Sequence, residues 1–388
     1  MSISDNPSTP QIKGRKAENL LEKIGVRYFG RLSHKLEYDS EIHLKNIPSD
    51  KVLQVVANNI TLNAVIIAFL VGALTSVPAV WFEMYYRESF TTFYYYGLLS
   101  AITLVLLIVE VGILYWLGMR STYTLAYMTG YDGIHEEELP PEYDLKNMMV
   151  RSALELEDPA IEYLGINPHK YVSKKWLIVR TLLYKAKIIL SSIVLKLILK
   201  KVAGRYGVRI GFVWVAIPVT AIWDAVVMYR VVKDARLRLF GYHLSKYIIE
   251  EILTDRVLNS YSPHVREGAI RAVSTVMVLS KTYHPNNIIL LIRLSSNFDI
   301  SESKDYDDLD KFLEHLNSAS KEEQHLLRIL AGISAIFDGV FNSTEKEALI
   351  KIFDGDEVYM NFTKELQSLL LNNRLHQSAK LCQERMHL

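Results

Sequence analysis

Two long apolar runs, Ile60–Phe82 and Phe93–Gly118, lie close together in the chain and are joined by a short polar loop. An α-helix needs about 20 apolar residues to cross the hydrocarbon core of a bilayer. Backbone polar groups in hydrocarbon must be satisfied within a helix or a closed barrel. The first run carries no charge, and the second carries only Glu110. The pair predicts a transmembrane helical hairpin over 57–120; the alternative is two buried core helices of a large soluble protein.

Basic residues predict the orientation of this hairpin. Many lysines and arginines precede the first run, whereas the hairpin tip carries Arg87 against Glu83 and Glu88. Lysine and arginine are enriched in cytoplasmic loops, and aromatic rings such as those at both ends of the runs favour headgroup depth. We therefore expect a protein of the cell inner membrane with both termini in the cytoplasm. The polar first residues predict no signal peptide.

Composition fits a chain that is only partly embedded in a membrane. Of the 388 residues, 50% are hydrophobic and 22% are charged, and the formal net charge is +1. Near-neutral charge gives no electrostatic reason to expect a nucleic-acid partner. The single cysteine, Cys382, excludes an intramolecular disulfide and is expected to be a surface thiol in a reducing compartment.

A second hydrophobic hairpin is predicted over 176–230. Its first arm contains lysines and an arginine, and a lysine at the bilayer centre costs about 2.5–3.5 kcal/mol on insertion scales. We favour a re-entrant or interfacial hairpin on the inner leaflet, and two full crossings are the alternative. The basic residues of its tip are candidates for contacts with lipid headgroups: Lys200, Lys201, Arg205 and Arg209.

The remaining segments predict an all-α fold, because apolar residues recur at helical spacing and no long alternating pattern occurs. The N-terminal segment 1–56 contains one helix and the start of another, capped by Ser49 or Asp50 after Pro48. The connector 121–175 contains an acidic loop and a short helix over 145–156. A cytoplasmic helical domain follows over 231–388, and its later helices are predicted at 309–317, 321–337, 344–353 and 358–385.

In the second arm of the second hydrophobic hairpin, Gly211 leads an apolar run to Pro218. This pattern resembles the hydrophobic segment of EcsC-type bacterial proteins. Val219 and Thr220 replace glycines of that pattern, and Asp224 replaces its asparagine. The resemblance implies membrane association. It rests on Gly211, Pro218, Ala221, Asp224, Ala235 and Phe240.

In the C-terminal region, Asp338 and Gly339 form a turn, and Ser343 or Thr344 is expected to cap the next helix, with Glu347 completing a capping box with Thr344. This arrangement, within 255–388, resembles TerB-like tellurite-resistance domains. The resemblance implies an all-helical domain. TerB-like domains can carry acidic metal-binding loops, but this loop continues with Val340, Phe341 and Asn342, so we expect a stabilising helix corner and no metal.

Glu110 is the sharpest functional candidate. With the turn near Glu88, it should lie opposite Ile66 and one turn from Asn63. An ionised carboxylate in hydrocarbon is costly, so the residue should be protonated or partnered. The functional interpretation of Glu110 is an ion or proton site, or a charge at an oligomer interface. The structural alternative is a carboxylate bonded to Asn63 or to a basic residue of the second hairpin.

Other polar residues near the membrane have weaker functional signals. Asp224 is a second intramembrane candidate, although a salt bridge at a helix end, with Arg230 or Lys233 nearby, would also explain it. Asn59 and Asn63, together with Asn58, are expected to form interhelical hydrogen bonds. The histidines lack metal-ligand spacing and are expected at the surface: His243, His264 and His284.

No phosphate loop, nucleophile elbow or zinc motif occurs in the sequence, so we expect no enzyme, cofactor or metal. The first hypothesis is a membrane-anchored adaptor or scaffold, with envelope stress as one setting. It would bind membrane lipids, a cytoplasmic protein and further copies of itself. The alternative is an oligomeric ion channel or transporter with Glu110 and Asn63 on the pathway, which needs a ring of subunits. A membrane-bound enzyme with unrecognised chemistry is a third hypothesis.

Overall fold

The computed structural model describes residues 20–33, 47–131, 139–140, 143–156, 158, 164, 166, 209–281, 284–296 and 305–386. These residues form helices and connecting turns without a β-strand, which confirms the all-α prediction. The α-helices are α1 Leu20–Ser33, α2 Asp50–Tyr85, α3 Thr92–Met128, α4 Leu145–Ala153, α5 Arg209–Tyr247, α6 Asp255–Ser260, α7 Pro263–Ser280, α8 Pro285–Ser296, α9 Leu309–Ser318, α10 Lys321–Ile336, α11 Ser343–Ile352, α12 Glu357–Leu371 and α13 Leu375–Met386.

The described residues divide into two compact units. The first, which we call the apolar unit, consists of residues 58–124 and 209–234. The second, which we call the helical domain, consists of the described parts of 20–57, 125–166 and 235–386. Parts of α2, α3 and α5 belong to each unit, because the division falls inside these three helices.

The apolar runs form the two helices α2 and α3. Helix α2 begins at Asp50, directly after the break that Pro48 predicts, and the Leu53 amide donates to the Ser49 carbonyl at 3.0 Å. Helix α3 continues to Met128, beyond the predicted end of the hairpin at 120. Both helices are long and apolar enough to cross a membrane. Only 28% of the most apolar window of α2, and 11% of that of α3, is buried inside the protein.

Helix α5 differs from the predicted arrangement. A separate helix was expected from Arg230 onward, but one helix runs from Arg209 to Tyr247 and ends in a π-helical turn, Ile248–Ile252. The sequence explains the continuity, because no proline or glycine lies between Pro218 and Gly241. The first arm of the second hairpin lies outside the described residues, so its placement stays a prediction.

In the helical domain, α10 lies between α7 and α12. Most side chains of α7 are buried, as are all those of α10 from Ile329 to Ile336. The ends are capped locally: Ser262 caps α7, and Ser320 forms a capping box with Glu323 at the start of α10. The predicted helices near 309–317 and 321–337 are present within one residue of their expected ends.

Two details of the C-terminal region were predicted wrongly. The N-cap of α11 is Asn342, which forms its capping box with Glu345 rather than the expected pair Thr344 and Glu347. The expected single helix over 358–385 is two helices, α12 and α13. The chain turns between them at Asn373, which has a φ of 60°, and asparagine tolerates this left-handed conformation better than most residues.

A contact between distant parts of the sequence caps the last helix. The two carboxylate oxygens of Asp50, at the start of α2, accept hydrogen bonds from the amides of His376 and Gln377 at 2.8 and 2.9 Å. The His376 ring in turn donates to the carbonyls of Ile47 and Pro48. A negative charge at a helix N-terminus is favourable. The C-terminal helix is therefore fastened to the segment from which α2 begins.

Candidate functional site

Two carboxyl groups are buried in the apolar unit and reach the same turn of α2. Glu110 on α3 is 2% exposed, and Asp224 on α5 is 3% exposed. The turn that they reach contains Gly72, Thr75 and Ser76, at the spacing that places residues on one side of a helix. We call these five residues the carboxyl cluster. It brings together two residues that the sequence singled out separately.

Glu110 is held by a hydroxyl group. The Thr75 Oγ1 lies 2.8 Å from the Glu110 Oε2, to which it can donate, and 2.9 Å from the Val71 carbonyl. The neighbouring Ser76 hydroxyl donates to the Gly72 carbonyl at 2.7 Å. A threonine donor partly replaces the water that a buried carboxyl group has lost.

The pairing of α2 with α3 differs from the expected register. Glu110 was expected opposite Ile66 and one turn from Asn63, but it bonds Thr75. Thr75 lies about 18 Å along the helix from Asn63 at a rise of 1.5 Å per residue. Asn63 and Asn59 are both exposed. The aromatic contact of Phe82 with Tyr95 at the tip still fits a turn near Glu88, so the expected position of Glu110 was wrong although the turn was placed correctly.

Asp224 lies directly over a glycine. A Cβ atom added to Gly72 would overlap the Asp224 Oδ2 and would lie 3.0 Å from both the Asp224 Cγ and the Ala221 Cα. Helices α2 and α5 therefore approach closely at a pair of small residues, as is common between membrane helices. Arg230 and Lys233 are exposed, and their positions on α5 project about 120° and 180° away from Asp224. Both basic side chains therefore project away from Asp224, which argues against the expected salt bridge at a helix end.

The structure does not describe the side chains of the basic residues that were predicted to contact lipid headgroups. Lys200, Lys201 and Arg205 lie outside the described residues, and Arg209 is the first residue of α5. The proposed contacts of these residues with lipid headgroups therefore stay a prediction.

Sequence reasoning missed a pair of stacked histidines in the helical domain. The rings of His264 and His315 lie 3.7 Å apart with an angle of 14° between their planes. Each Nε2 donates to the backbone carbonyl of the other residue, at 3.2 and 3.0 Å. Burial lowers the pKa of His315, and His264 lowers it further. The pair joins the start of α7 to the end of α9 across 51 residues of sequence.

Sequence reasoning also missed that the half-buried Asp338 and the buried Glu345 lie close enough for their carboxyl groups to interact. Glu345 is 1% exposed; its Oε2 accepts a hydrogen bond from the Asn342 amide at 2.9 Å. Burial, assisted by the charge of Asp338, raises the pKa of Glu345 to about 8. Burial also raises the pKa of Asp338 to about 6, although the Val340 amide bonds its carboxylate. The Asn342-x-x-Glu345 spacing is the sequence signal that could have identified this arrangement.

Other surface predictions were wrong. Cys382 is completely buried, and burial raises the pKa of its thiol far above the usual range. His243 and His284 are buried as well. Within the part of the chain that the structure describes, no group of three His, Cys, Asp or Glu residues is arranged to hold a metal ion.

Comparison of the chain with protein-family models, curated proteins and solved structures gives no match. The resemblances to EcsC-type and TerB-like proteins therefore stay predictions. The carboxyl cluster and the capped helical domain are the features from which function can be argued.

The close approach at Gly72 gives a first prediction. Gly72→Ala should destabilise the protein by about 1–3 kcal/mol, because the added methyl group must displace Asp224 and the α5 backbone. Gly112→Ala is the matched control, since a Cβ there has nothing within 4 Å. The melting temperatures of the two purified variants and of the wild type in detergent measure this difference in stability. Equal melting temperatures for the two variants would contradict the packing of α5 on Gly72.

The buried carboxyl of Glu345 gives a second prediction. Because its pKa is raised to about 8, the folded state holds a proton that the unfolded state releases above pH 4.5. Stability is then lost as the pH rises towards 8, by up to about 1.4 kcal/mol per pH unit. Glu345→Gln keeps an acceptor for the Asn342 amide but cannot titrate. The melting temperature of Glu345→Gln, relative to that of the wild type, should therefore rise as the pH is increased from 6.5 to 8.5.

Glu347→Gln controls for the loss of a carboxyl group on the same helix, because Glu347 is exposed. It should leave the pH dependence of the wild type unchanged. If Glu345→Gln and the wild type unfold with the same pH dependence, the carboxyl group of Glu345 is ionised in the folded domain.

Proposed function

We propose that this protein is a membrane-anchored adaptor or scaffold. In this proposal α2 and α3 cross the cell inner membrane, and the helical domain acts in the cytoplasm by binding another protein. The observation that carries the proposal is the bare apolar surface of α2 and α3 together with the closed core of the helical domain.

The exposed surface of the two helices supports insertion in lipid. A core helix of a soluble protein would be mostly buried, whereas most of the apolar windows of α2 and α3 faces outward. Leu74 is 69% exposed on α2, and Ile108 is 64% exposed on α3. Contiguous apolar surface of this kind is unfavourable in water and favourable in a bilayer.

The helical domain supports the adaptor role by its construction. Asp50 fastens α13 to the start of α2, so the last helix is held by the segment that leads into the anchor. Several apolar side chains remain exposed on this domain and offer contact area for a protein partner: Val340, Ile350 and Val358.

Single-cysteine labelling tests the topology that this proposal needs. Cys382 is buried and is the only native cysteine, so an impermeant maleimide should report on an introduced cysteine alone. In intact spheroplasts, Glu88→Cys in the α2–α3 loop should be labelled at once. Lys346→Cys in the helical domain should be labelled only after permeabilisation. The wild type is the background control.

Labelling of Lys346→Cys from outside would contradict a cytoplasmic helical domain. Recovery of the full chain in the soluble fraction without detergent would contradict the membrane anchor itself.

The carboxyl cluster favours a second candidate function, an oligomeric ion channel or transporter. Polar groups in a membrane helix are expensive and commonly mark pathways for protons or ions. Two buried carboxyl groups at one turn of α2 are such groups. Asn63 is exposed on α2, so it would join a pathway only at a contact with another copy of the chain.

Flux measurements separate the two functions. In proteoliposomes, a channel or transporter should carry protons or monovalent cations at a rate that Glu110→Gln lowers by an order of magnitude or more, because the amide cannot exchange a proton or balance a cation. Glu88→Gln, in the exposed loop, should keep the wild-type rate. If the wild type gives no flux above empty liposomes, the ion pathway is excluded under those conditions and the adaptor is favoured.

A further inference from the structure

Helix α1 has two unlike faces. Glu22 and Phe29 are buried on one side, whereas Leu20 is 76% exposed, Ile24 53% and Leu21 43% on the other. A helix that packs on a soluble domain usually turns its apolar side chains inward and its polar side chains outward. Here three large apolar side chains lie on the exposed side, so a second surface is needed to cover them.

Contacts on the buried side fix which face points outward. The Arg151 Nε of α4 lies 2.7 Å from the Glu22 Oε1, and both side chains are almost completely buried. The Phe29 ring packs edge-on against Tyr131 with the ring centroids 5.8 Å apart. An ion pair and an aromatic contact nearly two helical turns apart prevent α1 from rolling about its axis.

The exposed face combines apolar and basic side chains. Leu20, Ile24, Arg27 and Arg31 follow one another at spacings of four, three and four residues, which places them in a single stripe. Lys23 lies beside this stripe and is also exposed. Apolar side chains flanked by lysine and arginine are the composition of helices that lie in the interface of an anionic membrane.

The charge of this stripe favours a bilayer as the surface that covers it. A second copy of the chain would bring like charges together, because the stripe carries only basic charges. Anionic headgroups offer the opposite charge, and the acyl region accepts the leucine and isoleucine side chains.

We propose that the Leu20–Ile24–Arg27–Arg31 face of α1 lies in the headgroup region of the cytoplasmic leaflet and recognises anionic lipid. Leu20 and Ile24 enter the boundary of the acyl chains, while Lys23, Arg27 and Arg31 extend to phosphate groups. This arrangement rests on membrane anchoring by α2 and α3. Incorporation of the chain into nanodiscs tests that anchoring separately.

A depth-sensitive spin label at Ile24→Cys tests the inference in the full chain, because the native Cys382 is buried. In nanodiscs with about 30% anionic lipid, we expect the ratio of oxygen to nickel-complex collisions to be at least about threefold higher than in purely zwitterionic nanodiscs. A label at Lys351→Cys, exposed on α11, should give a water-like ratio in both.

Charge reversal on α1 provides a second test of the same proposal. The variant Lys23→Glu/Arg27→Glu/Arg31→Glu should return the Ile24→Cys label to a water-like ratio in anionic nanodiscs. The matched variant Lys346→Glu/Lys351→Glu/Lys364→Glu, which reverses exposed lysines of the helical domain, should keep the label at lipid depth. Both variants should incorporate into nanodiscs and unfold at the wild-type temperature.

A water-like ratio for the wild-type label in anionic nanodiscs would overturn the proposal. So would a label that is immobilised without access to oxygen, since that result would indicate a protein partner or a second copy on this face. Failure of the chain to enter nanodiscs would instead contradict the membrane anchor. A lipid-depth signal that survives charge reversal would refute recognition of anionic headgroups.

Discussion

Packing in the apolar unit depends on where the carboxyl groups of Glu110 and Asp224 can be accommodated. A carboxyl group removed from water must find donors or keep its proton, and either requirement constrains the neighbouring helix. Thr75 supplies a donor to Glu110, and the missing side chain of Gly72 leaves space for Asp224. One turn of α2 therefore contacts both carboxyl groups, and its small and hydroxyl residues allow α3 and α5 to pack closely against it.

In the helical domain, the groups that need hydrogen-bond partners are backbone amides. The free amides at the start of a helix need acceptors, and here a hydroxyl, an amide and a carboxyl side chain provide them at α10, α11 and α13, respectively. For α13 the acceptor is Asp50, 326 residues away in sequence. This cap makes the end of the chain and the beginning of α2 one structural element, so a change in either should be transmitted to the other.

Local signals explain what the sequence could predict. Helical spacing and Pro48 located α2, and two uninterrupted apolar runs identified the helices that could span a membrane. Glu110 and Asp224 were recognised because charges are rare in such runs. The turn at Asn373 was missed, since an asparagine in a left-handed conformation leaves less trace in sequence than glycine or proline.

Tertiary contacts explain what the sequence could not predict. Thr344-x-x-Glu347 and Asn342-x-x-Glu345 both fit a capping box, and only the burial of Glu345 decides between them. The burial of Cys382, by contrast, was predictable from the sequence, because this residue lies at core spacing with Leu375, Ala379 and Met386. The register of Glu110 depends on α2–α3 packing, which neither helix specifies alone.

Three buried glutamates differ in function because their partners differ. Glu22 pairs with Arg151, so its charge is compensated and its role is to orient α1. Glu345 faces a backbone amide and the acidic Asp338, so it keeps a proton near neutral pH and makes the domain sensitive to alkali. Glu110 faces a hydroxyl group, which can accept as well as donate a hydrogen bond. This contact joins α3 to α2, so Glu110 serves in the structure to hold these two helices together.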